Sequence, residues 1–482
     1  MDEQARMTRR QFVEGAAASA ALLGTGSWAC GRALGANGDI RVAVVGFNGR
    51  GGSHIGAFSS MKGVRLVALC DCDSNVLERG AKALRDRQIP VETYTDVREL
   101  LESKDIDVIA TATPNHWHSL ITVWACQAGK DVYVEKPVSH NVWEGRQAVN
   151  AARKYGRIVQ TGTQGRSSGA WWEAWDWLKQ GNLGKIKVSR ALCYKRRDSI
   201  GKVDGPQPIP RGIDYDLWCG PAAKLPLMRS RLHYDWHWVW NTGNGDLGNQ
   251  GIHQMDVARW AIGKMELAPR VMSIGGRLGY VDDGETANTQ MVVLDYGGPR
   301  IIFEVRGLPE RAGSGTMDRL KGQSIGNIIE CEGGYIAGDQ AFDRAGKPMR
   351  KFTGEGFRGG DHFANFIDAV RSRRVSDLNA DILEGHLSSA LCHLGNISYR
   401  LGKRSDPEEV RAAVARDATA LETLDRMEEH LARNGVDIKA SRLTVGPPLR
   451  FDPKRERFIG NRQADAMLRR DDRPGFRVPE KV

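Results

Sequence analysis

Ile40-Arg41-Val42-Ala43-Val44-Val45 is an apolar run that breaks into Gly46-Phe47-Asn48-Gly49-Arg50-Gly51-Gly52, and this junction constrains the fold more than any other feature of the chain. A short run of this composition reads as a buried strand. The spacing Gly46-x-Asn48-x-x-Gly51 reads as the turn that brings backbone amides up to a pyrophosphate. Gly46 supplies the tight turn and Gly51 the close helix–strand packing, while Gly49 and Gly52 add room. Asn48 replaces the middle glycine, and asparagine tolerates positive φ better than most residues. A helix beginning near Gly51 then aims its N–H groups at phosphate. The second apolar run, Val64–Cys70, ends at Asp71, twenty residues beyond Gly51. A carboxylate there accepts hydrogen bonds from ribose hydroxyls and repels a 2′-phosphate. The pattern points to NAD, with Arg50 and Arg79 leaving NADP open. A glycine-rich turn without ligand is the competing reading; strand, turn, helix and acid together argue against it.

Residues 39–163 continue this alternation. Val76–Arg87 has helical spacing, Val108–Thr111 and Val132–Val134 are further strands, a helix runs from about His118 to Ala128, and helix 143–155 with strand Ile158–Thr161 completes the unit. Such βαβα order predicts a parallel sheet covered by helices on both faces. From residue 164 to 402 the pattern changes to strands at Ile186–Cys193, Ala268–Arg277, Thr286–Leu294, Ile301–Val305, Ile325–Glu332 and Gly334–Ala337. Helices are expected at Trp171–Lys179, Gly251–Ile262, from Gly360-Asp361-His362 to about Arg374, and at Ile382–Leu401. The fold class is therefore α/β: an N-terminal Rossmann domain and a C-terminal α+β domain with a large, mostly antiparallel sheet, one face of which is available to cover the cofactor. Residues 403–482 read as one charged helix over Asp406–Asn434, then an irregular stretch that wraps the surface or a neighbouring subunit.

The first residues carry a separate signal. Thr8-Arg9-Arg10-Gln11-Phe12-Val13 precedes the weakly apolar Gly15–Leu23, and Ser27-Trp28-Ala29 offers a small-x-small cleavage site. Residues 1–29 thus read as a twin-arginine signal peptide, engaging the twin-arginine export machinery and placing the protein in the periplasm or otherwise outside the cytoplasm. An ordinary N-terminal helix and, through Cys30, a lipid anchor are the alternatives. An exported enzyme of this kind folds around its nicotinamide cofactor before leaving and must regenerate it in place. No other stretch approaches the ~18 apolar residues of a membrane span. The net charge of +10 is dispersed and shows no aromatic–basic interleave, so nucleic acid is not an expected partner. The eight cysteines have neither C-x-x-C nor Cys/His zinc spacing, which predicts buried thiols and no metal site.

Ile109-Ala110-Thr111-Ala112-Thr113-Pro114-Asn115-His116-Trp117-His118 ends the third-strand region, and Glu135-Lys136-Pro137 follows the next strand. Together with the glycine turn, this order resembles the glucose–fructose oxidoreductase/inositol dehydrogenase (Gfo/Idh/MocA) family over residues 40 to about 400. The resemblance implies that Thr113, Pro114, Asn115 and His118 line the nucleotide, that Glu135 and Lys136 reach the nicotinamide and a substrate hydroxyl, and that Pro137 follows a cis peptide. A metal pair at His116 and His118 is discounted, since no third ligand lies nearby. Gly245-Asp246-Leu247-Gly248-Asn249-Gln250-Gly251-Ile252-His253-Gln254-Met255-Asp256 resembles the family's D-x-G-x-H segment, with Asn249 where Asp is usual. An amide cannot act as a base. Asn249 is therefore assigned to substrate positioning, and acid–base work to Lys136 and His253.

All thirteen tryptophans precede residue 261. Aromatic faces pack against pyranose C–H faces while polar groups bind hydroxyls. Trp171, Trp172, Trp175 and Trp177 read as core. Trp236, Trp238 and Trp240, just upstream of His253, divide between pocket rim and core. Arg166, Tyr194, Trp236, Trp240, Asn249 and His253 are the expected substrate contacts, with Lys195, Arg196, Arg197, Asp198, His233, Asp235 and His237 as further hydroxyl binders. The expected function is an exported NAD(P)-dependent oxidoreductase that takes hydride from a secondary hydroxyl of a sugar or glycoside, with a homo-oligomer implied by the resemblance. The alternatives are an NAD-dependent glycosidase working through transient C3 oxidation and elimination, and a non-catalytic sugar-binding protein. Relatives of the glycosidase kind often depart from Glu-Lys-Pro, which this chain retains.

Overall fold

The structure is a computed structural model that describes residues 38–482; residues 1–29, the expected export signal, and Cys30 lie outside the described residues. Six short strands form the first sheet: β1 (Ile40–Val45), β2 (Val64–Cys70), β3 (Glu92–Tyr94), β4 (Val108–Thr111), β5 (Asp131–Val134) and β6 (Val159–Thr161). They run parallel in the order β3-β2-β1-β4-β5-β6. Val42 lies between Leu66 and Val108, and successive residues of β1 enter opposite cores: Val42 and Val44 one, Ala43 and Val45 the other. Burial on both faces is why these strands are continuously apolar. The order reverses between β1 and β4, so a crevice opens at their carboxyl ends.

The second sheet gathers β7 (Ile186–Tyr194), β8 (Arg270–Gly276), β9 (Thr289–Asp295), β10 (Arg300–Arg306), β11 (Ile325–Cys331), β12 (Gly334–Ala337), β13 (Gln340–Asp343) and β14 (Pro348–Lys351). Only β7 and β10 pair in parallel. Helices Gly251–Ala261 and Ile382–Arg400 pack on one face, through Ala191, Phe303 and Val305. Helix His362–Ser372 follows the second sheet in sequence but packs back into the first core, with Phe363, Phe366 and Ile367 against Phe58 and Tyr133.

The C-terminal stretch departs from expectation in two ways. The expected single helix over Asp406–Asn434 is two, Pro407–Val414 and Ala418–Arg433, because Asp417 turns out of the helix and caps the second with its carboxylate on the Thr419 and Ala420 amides. The residues flanking these helices are not irregular: β15 (Lys403–Ser405) before them and β16 (Leu443–Val445) and β17 (Leu449–Asp452) after them extend the second sheet from β8. The remainder wraps this same chain and returns to the first domain. Arg470 donates to the carbonyl of His116 at 2.9 Å and reaches Glu144 at 2.8 Å, while the Phe476 ring meets the edge of Trp117.

Helix Ala418–Arg433 also lies across the far face of the second sheet, where Arg190 and Tyr194 of β7 and Glu304 and Arg306 of β10 are buried. Tyr194 donates to Glu304 at 2.6 Å, Arg426 holds the same carboxylate at 2.8 Å, and Arg306 bonds Asp318. Burial opposes the charge on Asp318, but His430 and Arg306 prevail and hold its pKa at about 2, against an ordinary 3.8. A depressed folded pKa gives stability that is full above the unfolded value and is lost as pH falls through the folded one. Asp318→Asn is therefore expected to lose less stability than the parent between pH 5 and pH 2, read by denaturant unfolding at each pH.

Candidate active site

A cavity of about 370 Å³ opens at the carboxyl ends of β1 and β4. Gly46, Asn48, Gly49 and Arg50 form one wall. Gly46 has φ of +73°, and a Cβ there would stand 2.7 Å from the Thr113 side chain and 2.8 Å from its backbone; a Cβ on Gly51 would stand 2.2 Å from the Gly46 carbonyl. Those two positions require glycine. Asn48 is not among the residues with positive φ, so its tolerance of that conformation is not used; its side chain accepts from Arg79 at 3.3 Å instead. Asp71 faces the cavity with Oδ2 on the Phe47 amide at 3.1 Å and Oδ1 on the Asp73 amide at 3.0 Å, and burial pushes its pKa up. A backbone cradle that a side chain would fill, with a carboxylate at its far end, fits a dinucleotide whose ribose lacks a 2′-phosphate.

Thr113, Pro114, Asn115 and His118 line the opposite wall. Asn115 donates to Asn244 at 3.0 Å, across the domain junction. His118 lies between the Pro137 and Thr113 carbonyls at 2.6 and 2.7 Å, and burial lowers its pKa; a neutral ring donates to only one of them. It ties the segment after β4 to the segment after β5, where the Lys136–Pro137 peptide is cis. His116 is also buried, with Nε2 on the Trp218 carbonyl at 2.9 Å. Among the described residues no group of three metal-ligating side chains converges.

Glu135 and Lys136 form the floor. Burial opposes the Glu135 charge, yet His54, Lys136 and Arg50 hold its pKa far below the usual carboxylate range. Arg50 donates to Oε1 at 2.8 Å and His54 Nε2 to the same oxygen at 3.2 Å. His54 was not singled out from sequence; the available signal was its place one turn after Arg50 on the helix that follows the glycines. Lys136 turns the other way, donating to the Asn249 carbonyl at 3.0 Å and lying 3.4 Å from its Oδ1. Burial lowers the Lys136 pKa, with Glu135 pulling up and Lys195 and Arg50 pushing down.

His253 sits half-buried on helix Gly251–Ala261, outside the cavity lining, and burial with nearby Lys136 lowers its pKa to about 3. Trp236 does line the cavity, its ring stacked 3.6 Å from His237. Three more expected substrate contacts lie outside the lining. Tyr194 points to the far face of its sheet, into the Glu304 network. Arg166 is consumed by Asp256 at 2.8 Å and Glu384 at 2.9 Å. Trp240 lies under the Arg400 guanidinium. The second sheet lends no residue to the lining. The cover comes instead from the long connection after β7, which supplies Leu217, Trp218, His233 and Tyr234. That connection docks beside Asp71: the Ser74 amide donates to the Gly212 carbonyl and the Asp214 amide to the Cys72 carbonyl, both at 2.9 Å. Arg473 of the C-terminal stretch holds its Asp216 at 2.6 Å. Its signal in the sequence was negative, a fifty-residue interval with no strand pattern.

Residues 40–163 match the model of an oxidoreductase family's NAD-binding Rossmann fold, and residues 180–307 match the model of that family's C-terminal alpha/beta domain. The chain belongs to the Gfo/Idh/MocA oxidoreductase family. Over 120 residues, 24% of its length, it is 34% identical to glycosyl hydrolase family 109 protein 1 of Shewanella sp. strain MR-4 and 33% identical to an alpha-N-acetylgalactosaminidase of Shewanella oneidensis. The match spans 26% of those relatives' own length. In fold the chain is similar to the WlbA dehydrogenase of Bordetella pertussis, crystallised with NADH and UDP-GlcNAcA, at TM-score 0.55 and 19% identity over 73% of this chain and 94% of that one. GenD2 from gentamicin A biosynthesis, crystallised with NAD, is similar at TM-score 0.53 and 18% identity over 73% and 92%.

Gly46→Ala is expected to abolish NAD binding, because the added methyl meets Thr113 backbone as well as a strained φ. Isothermal titration with NAD reads the loss, and far-ultraviolet circular dichroism separates it from misfolding.

Proposed function

We propose that this protein oxidises a secondary hydroxyl of a sugar or glycoside, with Lys136 as the base. The observation that carries this reading is the position of the Lys136 ammonium: half-buried on the cavity floor, bonded to a carbonyl rather than to a carboxylate, and beside the glycine cradle. NAD, when bound, supplies the hydride acceptor. Burial favours the neutral amine, which is the form that accepts a hydroxyl proton. The Asn249 amide, 3.4 Å away, can donate to a substrate oxygen and fix which hydroxyl faces Lys136. His253, neutral near pH 7 and behind the lining, can relay the proton outward. Trp236 offers an aromatic face to a pyranose ring. The relatives that act on or bind sugars support the substrate class.

A second reading has its own support. The glycosyl hydrolase family 109 relatives favour a redox-neutral glycosidase, in which oxidation at C3 acidifies the C2 proton, the C1 substituent is eliminated, water adds and the hydride returns. Lys136 performs the same first step in both. With the NAD-loaded protein and a panel of glycosides, lasting absorbance at 340 nm identifies net oxidation, and glycosidic cleavage without it identifies the glycosidase.

Lys136→Met is expected to lower kcat/KM by about 10²–10⁴-fold, the usual worth of a general base. In the parent enzyme kcat/KM should rise with pH as Lys136 loses its proton, with the inflection below the ordinary lysine value of 10.5. Turnover in Lys136→Met equal to that of the parent would overturn the assignment.

We also propose that the chain leaves the cytoplasm folded around its cofactor, on the strength of Arg9-Arg10 and the apolar run after them. Replacing both arginines by lysine should retain the full-length protein in the cytoplasm, read by cell fractionation.

A further inference from the structure

Resting on the sugar-oxidising reading, we propose that the substrate carries a carboxylate, as in a hexuronic acid glycoside, and that Lys195 binds it. The charges around Lys136 lead there. Two acids lie within electrostatic reach of its ammonium, Glu135 and Asp246, and both are already committed. Glu135 is held by Arg50 and His54. Asp246 receives both Nε and Nη2 of Arg197 at 2.7 Å. Lys195 is different. It continues β7 just outside the cavity lining, behind Asn249 of that lining, is half-buried, and its one side-chain bond goes to an amide, with Nζ on Gln250 Oε1 at 2.9 Å. An ammonium has three donors, so one such bond leaves two unspent.

Asn249 and Gln250 are neighbours on the turn ahead of helix Gly251–Ala261. Each carries one ammonium, Lys136 on the first and Lys195 on the second. A net positive field against low-dielectric walls draws an anion. The size of that anion follows from the chemistry. Lys136 has to be neutral to take a proton, which leaves the single charge of Lys195 to be balanced. A carboxylate balances it. A phosphate dianion would overcompensate and favour protonated Lys136, opposing the reaction.

The test uses NAD-loaded parent enzyme with methyl glucuronide and galacturonide against methyl glucoside and galactoside, following both NADH and glycoside cleavage. The uronides should give kcat/KM at least tenfold higher, with the advantage shrinking as salt rises. In Lys195→Gln the ratio of uronide to neutral glycoside should fall close to one, and Lys195→Arg should keep part of it. Neutral glycosides turned over as well as uronides by the parent would overturn the proposal while leaving the sugar reading intact. So would Lys195→Gln shifting the pH profile of both classes equally with the ratio unchanged, since Lys195 would then act only on the Lys136 proton. If neither class turns over, the sugar-oxidising reading fails. Calorimetric binding of methyl glucuronide by the parent, lost in Lys195→Gln, then still decides for the carboxylate site, and its absence decides against it.

Discussion

The carboxylate of Glu135 is the constraint on which the site depends. A buried carboxylate left alone costs several kcal/mol, so it has to be met by donors placed without slack. Arg50 and His54 meet it, one turn apart on the helix that follows the glycine turn. That helix can start so close to β1 only because Gly51 lets the Gly46 carbonyl stand where a Cβ would be. Gly162 extends the same logic, since a Cβ there would lie 2.9 Å from the Glu135 carboxylate. The cofactor cradle and the floor of the cavity are thus one unit, and a change in either moves the other.

The second domain completes this unit at its edge rather than with its sheet. Lys136 reaches across to the Asn249 carbonyl, Asn115 to Asn244, and Asn244 in turn to the carbonyl of His140 at 3.0 Å. The connection after β7 lies over the ribose end, and the C-terminal stretch holds that connection down through Arg473. The Asp71 end of the cavity is therefore bordered by pieces of this chain from three distant parts of the sequence.

The sequence made the first domain legible because its signals are local. An apolar run, glycines at fixed spacing and an acid after the next run each follow from one segment's backbone geometry, and the Asp71 and Gly46 positions needed no knowledge of distant residues. Tyr194, Arg166 and Trp240 were unreadable for the opposite reason. Alternation along β7 separates the Tyr194 face from the Cys193 face, but only the tail helix, more than two hundred residues on, turns the former into a buried ion network. Arg166 resembled a hydroxyl binder until Asp256 and Glu384 arrived from two other helices. The strands of the C-terminal stretch are only three or four residues long, too short for periodicity to register, and they form because β8 offers an edge.

Asparagine at 249 bears on how Lys136 is tuned. With aspartate there, a carboxylate oxygen would stand where Oδ1 lies, 3.4 Å from the ammonium, and a partner at that range stabilises the charged lysine. The amide gives a similar bond without the charge. Burial and the neighbouring Lys195 and Arg50 are then opposed chiefly by Glu135, whose charge is already shared with Arg50 and His54. The amide thus cannot act as a base at 249 and eases deprotonation of Lys136, the residue proposed as base. It also leaves the local charge more positive by one unit, and that surplus is what a substrate carboxylate beside Lys195 would neutralise.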